Sequence, residues 1–411
     1  MLYKQSENKI YATILFLVWP FLSTFFAILN YREKWAKNII WIFVAFFGYT
    51  MVISNEGMDA NRYRDQFIEI SEAGGETNLV KGIYAEDTGY VDVLKPFLDR
   101  LVSLFTNNYK ILFLIYGLIF GYFFSRNIWL LLENIKQPIV SSSIILLILF
   151  SLINPIWNIN GFRFWTAAQI FVYGCLLFFL KRDKIGIILS FIALFVHFSF
   201  MLPVLILFIY LFIGNRLTIY FYFFITSLFI TEINLEVVRS SIEGILPVIF
   251  ETKVVNYTNE AYREQKVAGF KNMNWYIIYN AFLLKYVIYL YFIFLYWKNR
   301  IKIRRNKAVY SLFSFILFYF GIANIVASIP SGGRFLTVAY SFAIALIYIY
   351  VQTYKDDLIN FIVKVSLPIL LLYIIVSIRL GFDTIGITTV IGNPIVALFM
   401  DKDRALIELI K

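Results

Sequence analysis

The sequence predicts an all-α polytopic membrane protein of about 11–13 transmembrane helices. Two observations carry that prediction. First, the 411-residue chain is 60% hydrophobic and only 15% charged, with a mean hydropathy of +0.74, whereas a soluble domain is roughly half apolar and a quarter charged. A soluble globule of this length could not hide so much apolar surface. Second, the net charge of +11 sits mostly in short loops between apolar runs. That pattern reports membrane orientation rather than nucleic-acid binding. A cytosolic enzyme, a secreted disulfide scaffold and a disordered chain are therefore excluded. One cysteine, Cys175, and one histidine, His197, exclude an intramolecular disulfide, a Cys/His zinc site and a bis-His haem.

The elements follow in chain order. A helix crosses the roughly 30 Å hydrocarbon core with about 20 apolar residues. Charge-free runs suited to this lie at 10–29, 38–54, 109–126, 138–155, 164–180, 275–297, 308–327, 335–351 and 359–377. The first runs straight into the basic loop Arg32–Lys37 and reads as a span rather than a cleavable leader. Three basic clusters set orientation: Arg32, Lys34 and Lys37; Lys181, Arg182 and Lys184; and Lys298, Arg300, Lys302, Arg304, Arg305 and Lys307. All three are expected at the cytoplasmic face.

That parity decides the apolar stretch 185–213. As one helix it would be about 43 Å long, and the basic loop 298–307 would then face outward. A break near Ser199–Pro203 restores the parity and predicts two short helices or a re-entrant pair, with His197 at the turn. Irregular backbone at membrane depth survives only when buried in protein or lining a wet cavity. One long kinked helix is the alternative. With the break, the N-terminus and two long loops, 55–108 and 232–274, are extracytoplasmic. The stretch Thr384–Phe399 reads as a re-entrant cap or a further span. No internal repeat is visible, so the chain is read as a single integral membrane domain over 1–411.

Ionisable groups in or beside the membrane are costly and mark places to look for function. On the outer side these are Arg163, His197, Arg334 and Arg379, with Asp59, Arg62, Glu86 and Asp87 in the first long loop. Lys285 lies near the middle of the span 275–297. Arg163 follows Asn158-Ile159-Asn160-Gly161-Phe162, and Arg334 follows Ser331-Gly332-Gly333. Two guanidiniums at one depth, each opening a span after a glycine turn, could converge on a phosphate, which arginine binds through two oxygens at once. The plainer reading is an interfacial arginine snorkelling to head groups. His197 reads as a proton shuttle or donor beside the phosphate, or as an ordinary packing residue. A loop carboxylate, Asp59 or Glu86, could take a proton from a sugar hydroxyl, or simply be solvated. Lys285 could bind substrate or serve as an internal polar anchor. No glycine-rich nucleotide loop is present, which argues against a nucleotide donor.

These residues occur in a recognisable order. Asp59 and Tyr63 form Asp-x-x-x-Tyr; Glu86, Gly89 and Tyr90 form Glu-x-x-Gly-Tyr. Arg163 opens a span, His197 and Ser199 form His-x-Ser, and Gly333, Arg334 and Phe335 form Gly-Arg-Phe. The pattern resembles the EpsG family of Wzy-like polysaccharide polymerases. The resemblance runs from about residue 10 to about residue 400 and lies in the order of short motifs. It implies a metal-independent glycosyltransferase without cofactor, in the bacterial inner membrane with its active site facing the exterior. The implied substrate is an undecaprenyl-pyrophosphate-linked oligosaccharide, with a chain-length regulator as a partner by family analogy and no nucleic acid. On that model Arg163 and Arg334, with Arg62, Tyr63, Tyr90 and Lys285, bind pyrophosphate and sugar. Asp59 or Glu86 accepts the proton, and His197 orients the phosphate or the base. The loop 232–274 is then a place for the acceptor glycan. A flippase for lipid-linked oligosaccharides and a membrane acyltransferase are the alternatives. The first expects pseudo-symmetric halves; the second expects an early arginine–histidine pair, which the chain lacks.

Overall fold

In the computed structural model, residues 2–53, 59–73, 92–133, 139–230 and 274–410 are described. Glu86, Asp87, Gly89 and Tyr90, and residues 232–273 of the second long loop, lie outside them. The described residues are helical, in the order α1 (Leu2–Val18), α2 (Pro20–Leu29), α3 (Ala36–Thr50), α4 (Asp59–Glu72), α5 (Leu94–Ser103), α6 (Tyr109–Glu133), α7 (Ser141–Ile153), α8 (Phe162–Lys181), α9 (Ile185–Val196), α10 (Met201–Ile213) and α11 (Leu217–Ser227). Then come α12 (Trp275–Arg305), α13 (Lys307–Val326), α14 (Gly333–Thr353), α15 (Asp357–Gly381), α16 (Ile387–Ile391) and α17 (Pro394–Phe399). Among the described residues six helical runs are long and apolar enough to cross a membrane by length and composition. One of these, Ser141–Lys181, holds both α7 and α8. The protein is an all-α, multi-pass membrane protein.

Helix ends gather into two sets. At the basic end, Lys37 pairs with Glu133 at 3.1 Å and Lys302 with Asp356 at 3.3 Å. The Arg182 guanidinium donates to the Lys307 carbonyl at 2.9 Å. The three basic clusters therefore share one end. At the other end, the Ala60 N–H donates to Asn160 Oδ1, Arg163 pairs with Asp92, and the Val52 N–H donates to the Thr384 carbonyl.

The break in 185–213 is present. α9 stops at Val196, His197 is extended (φ −150°, ψ 121°), and a 3-10 turn, Phe198–Phe200, leads into α10. Pro203 falls in the first turn of α10, where its missing N–H costs nothing. Tyr210 near the far end of α10 donates to the Ser311 carbonyl at the basic end, so α9 and α10 form a down-and-back pair with His197 at its tip.

The first span is a correction. Residues 10–29 are not one helix: the chain turns at Trp19, with Pro20 opening α2. Ser23 Oγ donates to the Ala12 carbonyl at 3.0 Å, and Asn8 Nδ2 lies 3.5 Å from Asn30 Oδ1. α1 and α2 are thus an antiparallel hairpin. The N-terminus lies at the basic end, not with the long loops. The tip is held by Trp19 Nε1, which donates to the Val390 carbonyl.

Association of helices in lipid rests on close packing rather than on water expulsion. α3 and α6 show how close. A Cβ on Gly48 would lie 2.2 Å from the Phe113 carbonyl oxygen, and one on Gly117 would lie 2.6 Å from that of Val44. α14 is buried on every face from Val338 to Val351, as expected of a helix apolar all round. It forms the spine on which α7, α8, α12 and α13 pack. The tail beyond α15 turns back as a re-entrant cap. Gly386 bridges Ala405, and α16 and α17 lie between them.

Candidate active site

Two turns and one helix break meet at the end away from the basic clusters. The first turn is the 3-10 segment Ile156–Gly161 that leads into α8. Asn160 Oδ1 accepts the Ala60 N–H at 2.9 Å and so caps α4. This sets the Asp59 carboxylate against the turn: a Cβ on Gly161 would lie 3.7 Å from Asp59 Oδ2. Asp59 also forms an i,i+3 ion pair with Arg62.

Arg163, the second residue of α8, is held by two side chains, Tyr63 and Asp92. Its Nε donates to the Tyr63 hydroxyl at 3.2 Å, its Nη1 to Asp92 Oδ2 at 3.0 Å, and its Cζ lies 5.6 Å from the Tyr63 ring centre. Asp92 is only 2% exposed and uses its other oxygen as well: Oδ1 accepts the Phe198 N–H at 2.8 Å. Beside it the Val93 N–H donates to the Phe195 carbonyl at 3.1 Å. One carboxylate therefore ties Arg163 to the helix break that carries His197.

At the break, His197 Nδ1 accepts from the Ser199 N–H at 3.2 Å and lies 2.7 Å from Ser199 Oγ. An accepting Nδ1 places the proton of the neutral ring on Nε2. The ring is buried and meets the Phe164 ring edge-on at 5.5 Å.

The second turn precedes α14. Ser331 takes the left-handed conformation (φ 65°), and a Cβ on Gly332 would strike the Val326 carbonyl oxygen at 1.9 Å. Gly333 has nothing within 4 Å of its own Cβ position. Gly332 is thus the glycine that the turn requires. Arg334 then lies with its Cζ 5.6 Å over the Phe164 ring, a cation–π contact. Among the described residues no carboxylate pairs with it.

Arg334, His197, Ser199 and Phe164 line one cleft of about 210 Å³, closed by Met201, Leu202, Pro330 and Phe335. Arg163 does not line it. Phe164, its neighbour, is the shared wall. Lys285 also lies outside this cleft, with its Nζ 5.6 Å from the Tyr289 ring. The geometry brings Arg334 to His197, and Arg163 to Tyr63, Asp92 and the Asp59 turn.

A polar core lies beneath Arg163 and was not read from the sequence. Lys95 Nζ donates to Asp99 Oδ2 at 2.5 Å and to Gln66 Oε1 at 3.0 Å, and sits 4.7 Å over the Tyr63 ring. Tyr116 donates to Asp99 Oδ1 at 2.6 Å. Lys95 and Asp99 are each 2% exposed. Burial pushes the Lys95 ammonium down from its ordinary value, with Asp99 opposing, and pushes the Asp99 carboxyl up, with Lys95 opposing. Burial likewise raises the Tyr63 phenol, against the pull of Arg163. The signal available was the i,i+4 spacing of Lys95 and Asp99. Nothing local marks that pair as buried. Asp92 had no signal beyond being one of several acids in its loop.

The model of the EpsG family matches residues 38–385, which is most of the chain. The chain belongs to the EpsG family. Members of this family are Wzy-like polymerases, so a polymerase role, of the glycosyltransferase type, follows for this chain at that general level. Neither the curated proteins nor the solved structures compared include a match to it. The matched residues include both arginine turns, the His197 break and α4, while α16 and α17 follow the matched region.

Proposed function

We propose that this EpsG-family protein joins oligosaccharide repeat units carried on undecaprenyl pyrophosphate, at the outer face of the bacterial inner membrane. The supporting observation is the cleft that sets Arg334 beside His197 and Ser199 at the end remote from the basic clusters. The positive-inside tendency favours a cytoplasmic place for those clusters, which supports the reading of the cleft as outward-facing.

The chemistry balances without a nucleotide or a metal. A hydroxyl oxygen of the acceptor sugar bonds to the anomeric carbon of the donor. The bond from that carbon to the lipid pyrophosphate breaks, and the pyrophosphate leaves with the electron pair. The hydroxyl proton passes to a carboxylate, for which Asp59 and Glu86 are the candidates. Negative charge grows on the leaving oxygen, and Arg334 at the opening of α14 is suited to stabilise it. His197 would donate from Nε2 to the same phosphate. Arg163, bound to Asp92, is assigned to holding the donor side of the site and the Asp59 turn. Arg62, Tyr63, Tyr90 and Lys285 remain candidates for sugar or pyrophosphate contact. A chain-length regulator as partner belongs to the same proposal.

The test is elongation of a defined lipid-linked oligosaccharide by the purified protein in detergent, with products resolved by size. Arg163→Ala should make no polymer, and because it also leaves the buried Asp92 unpaired, thermal unfolding in detergent is measured beside it to confirm that the variant is folded. Normal chain lengths from that variant would remove Arg163 from the site. No elongation by the wild-type protein would favour a flippase.

A further inference from the structure

A second cavity lies on another face of α4. It measures about 320 Å³ and is lined by Tyr49, Thr50, Arg64, Tyr109, Thr388 and Asp401, among others. That is the lower end of the range for small-ligand pockets, roughly 300–1,000 Å³. Its floor is the outer end of α3 and the start of α6; its far wall is the tail after residue 385.

The tail is built to stay there. The Ile387 N–H donates to the Arg404 carbonyl and the Leu406 N–H to that of Ile385, both at 2.9 Å. Asp403 accepts the Thr388 N–H at 3.0 Å and the Arg404 N–H at 2.8 Å. Lys110 donates to the Met400 carbonyl, and the hydroxyls of Thr50 and Thr389 bond at 2.7 Å. The cavity is thus a formed feature and not a gap under a loose end.

Its chemistry differs from that of the first cleft. Its lining carries both charges, with Arg64, Lys110 and Lys402 beside Asp401 and Asp403, and Arg64 also pairs with Asp65 at 2.8 Å. Lys110 and Asp403 are already engaged by backbone. No group of three or more histidines, cysteines or carboxylates gathers among the described residues. Two tyrosines, hydroxyls and mixed charge suit a ligand of many hydroxyls and apolar ring faces, that is, a saccharide.

The position suits a two-substrate reaction. Tyr63 and Arg64 are successive residues of α4, turned about 100° apart. Tyr63 bonds Arg163, and Arg64 lines the second cavity. One helix, with Asp59 at its first turn, therefore joins the Arg163 cluster to the second cavity. A donor can be gripped by its reacting pyrophosphate. An acceptor offers only sugar hydroxyls to the reaction, so its site must recognise sugar.

We propose that this second cavity, walled by the tail beyond residue 385, binds the glycan of the acceptor. The inference rests on the polymerase reading above. It adds to any contribution from residues 232–274.

The test uses the full chain in detergent and lipid-free oligosaccharide, released by mild acid from the polymer of the producing cells. Binding is read by saturation-transfer NMR, and polymerisation is assayed separately. Asp401 is exposed, so Asp401→Asn should fold; Tyr109→Ala removes one aromatic face. Each should weaken glycan binding by about tenfold and raise the acceptor KM with little change in kcat. Arg334→Ala should bind the free glycan as the wild type does while elongating about 10²–10³-fold more slowly. Unchanged glycan binding in both cavity variants would overturn the subsite, whatever the polymerase activity. Binding that maps to Asp401 and Tyr109 in a protein that elongates nothing would leave the subsite standing and overturn the polymerase reading instead.

Discussion

Arg163 and Arg334 hold equivalent places in the chain. Each is the second residue of a long helix, each follows a glycine-bearing turn, and both turns lie at the same end of the bundle. Their surroundings differ. Arg163 is engaged by Tyr63 and Asp92, whereas Arg334 lies over a phenyl ring and lines a cleft. A facing carboxylate makes the difference. With Asp92 in place, the first guanidinium organises the protein. Among the described residues no carboxylate pairs with the second. A charged residue at a helix start is therefore read by its partner, not by its position.

The comparison is broken most directly at Arg334. Arg334→Ala should cut the rate of elongation by about 10²–10³-fold, the usual cost of losing one preorganised donor. Stability should change by no more than about 0.5 kcal/mol. Arg334→Lys should recover little, because a point charge does not replace a planar fork. Elongation at the wild-type rate by Arg334→Ala would remove the cleft from the reaction.

The next effect is structural. Asp92→Ala leaves Arg163 without its counter-charge and the Phe198 N–H without its acceptor, and should cost about 3 kcal/mol. Asp92→Asn should cost less, since its amide oxygen can still accept from Phe198. Thermal unfolding in detergent measures both. Equal melting temperatures for Asp92→Ala and wild type would mean that Arg163 does not depend on Asp92.

These two residues also show what could be read in the sequence. Both arginines were legible, since each interrupts an apolar pattern beside glycine. So was the break at His197, because the basic loops on either side fix the parity of the helices between them. Asp92 was not legible. It lies 71 residues from Arg163, and no local pattern distinguishes it from other loop acids. The hairpin of α1 and α2 was missed for a different reason. Hydropathy runs unbroken through Trp19 and Pro20, and residues 2–9 are too polar to suggest a helix that turns back along the bundle. Pro20 was the available clue, since the residue before proline avoids helical geometry. The second cavity was out of reach, as it depends on where the tail folds.

The turn before α14 gives a smaller and sharper contrast. Gly332→Ala drives a methyl into the Val326 carbonyl and should cost about 2 kcal/mol. Gly333→Ala meets nothing and should stay within about 0.5 kcal/mol of wild type. If the turn serves to aim Arg334, the first substitution lowers elongation as well and the second does not. Equal stability of the two variants would show that the turn yields freely.

The smallest effect lies in the core beneath Arg163. Lys95 is held charged there against burial by Asp99. Asp99→Asn removes that counter-charge while keeping an oxygen for Tyr116, so the Lys95 value, already below 10.5, should fall further. A lysine whose folded pKa lies below its unfolded one binds fewer protons when folded. Stability is then greatest above the unfolded pKa and is lost as pH falls through the folded pKa. The stability of Asp99→Asn, followed through its melting temperature, should therefore rise as pH is raised toward about 10, by at most about 1.4 kcal/mol per pH unit. Adding Lys95→Met should flatten that slope, because the titrating group is gone. A slope that survives Lys95→Met would belong to another group, and the ion pair would then have no share in holding the Tyr63 ring beneath Arg163.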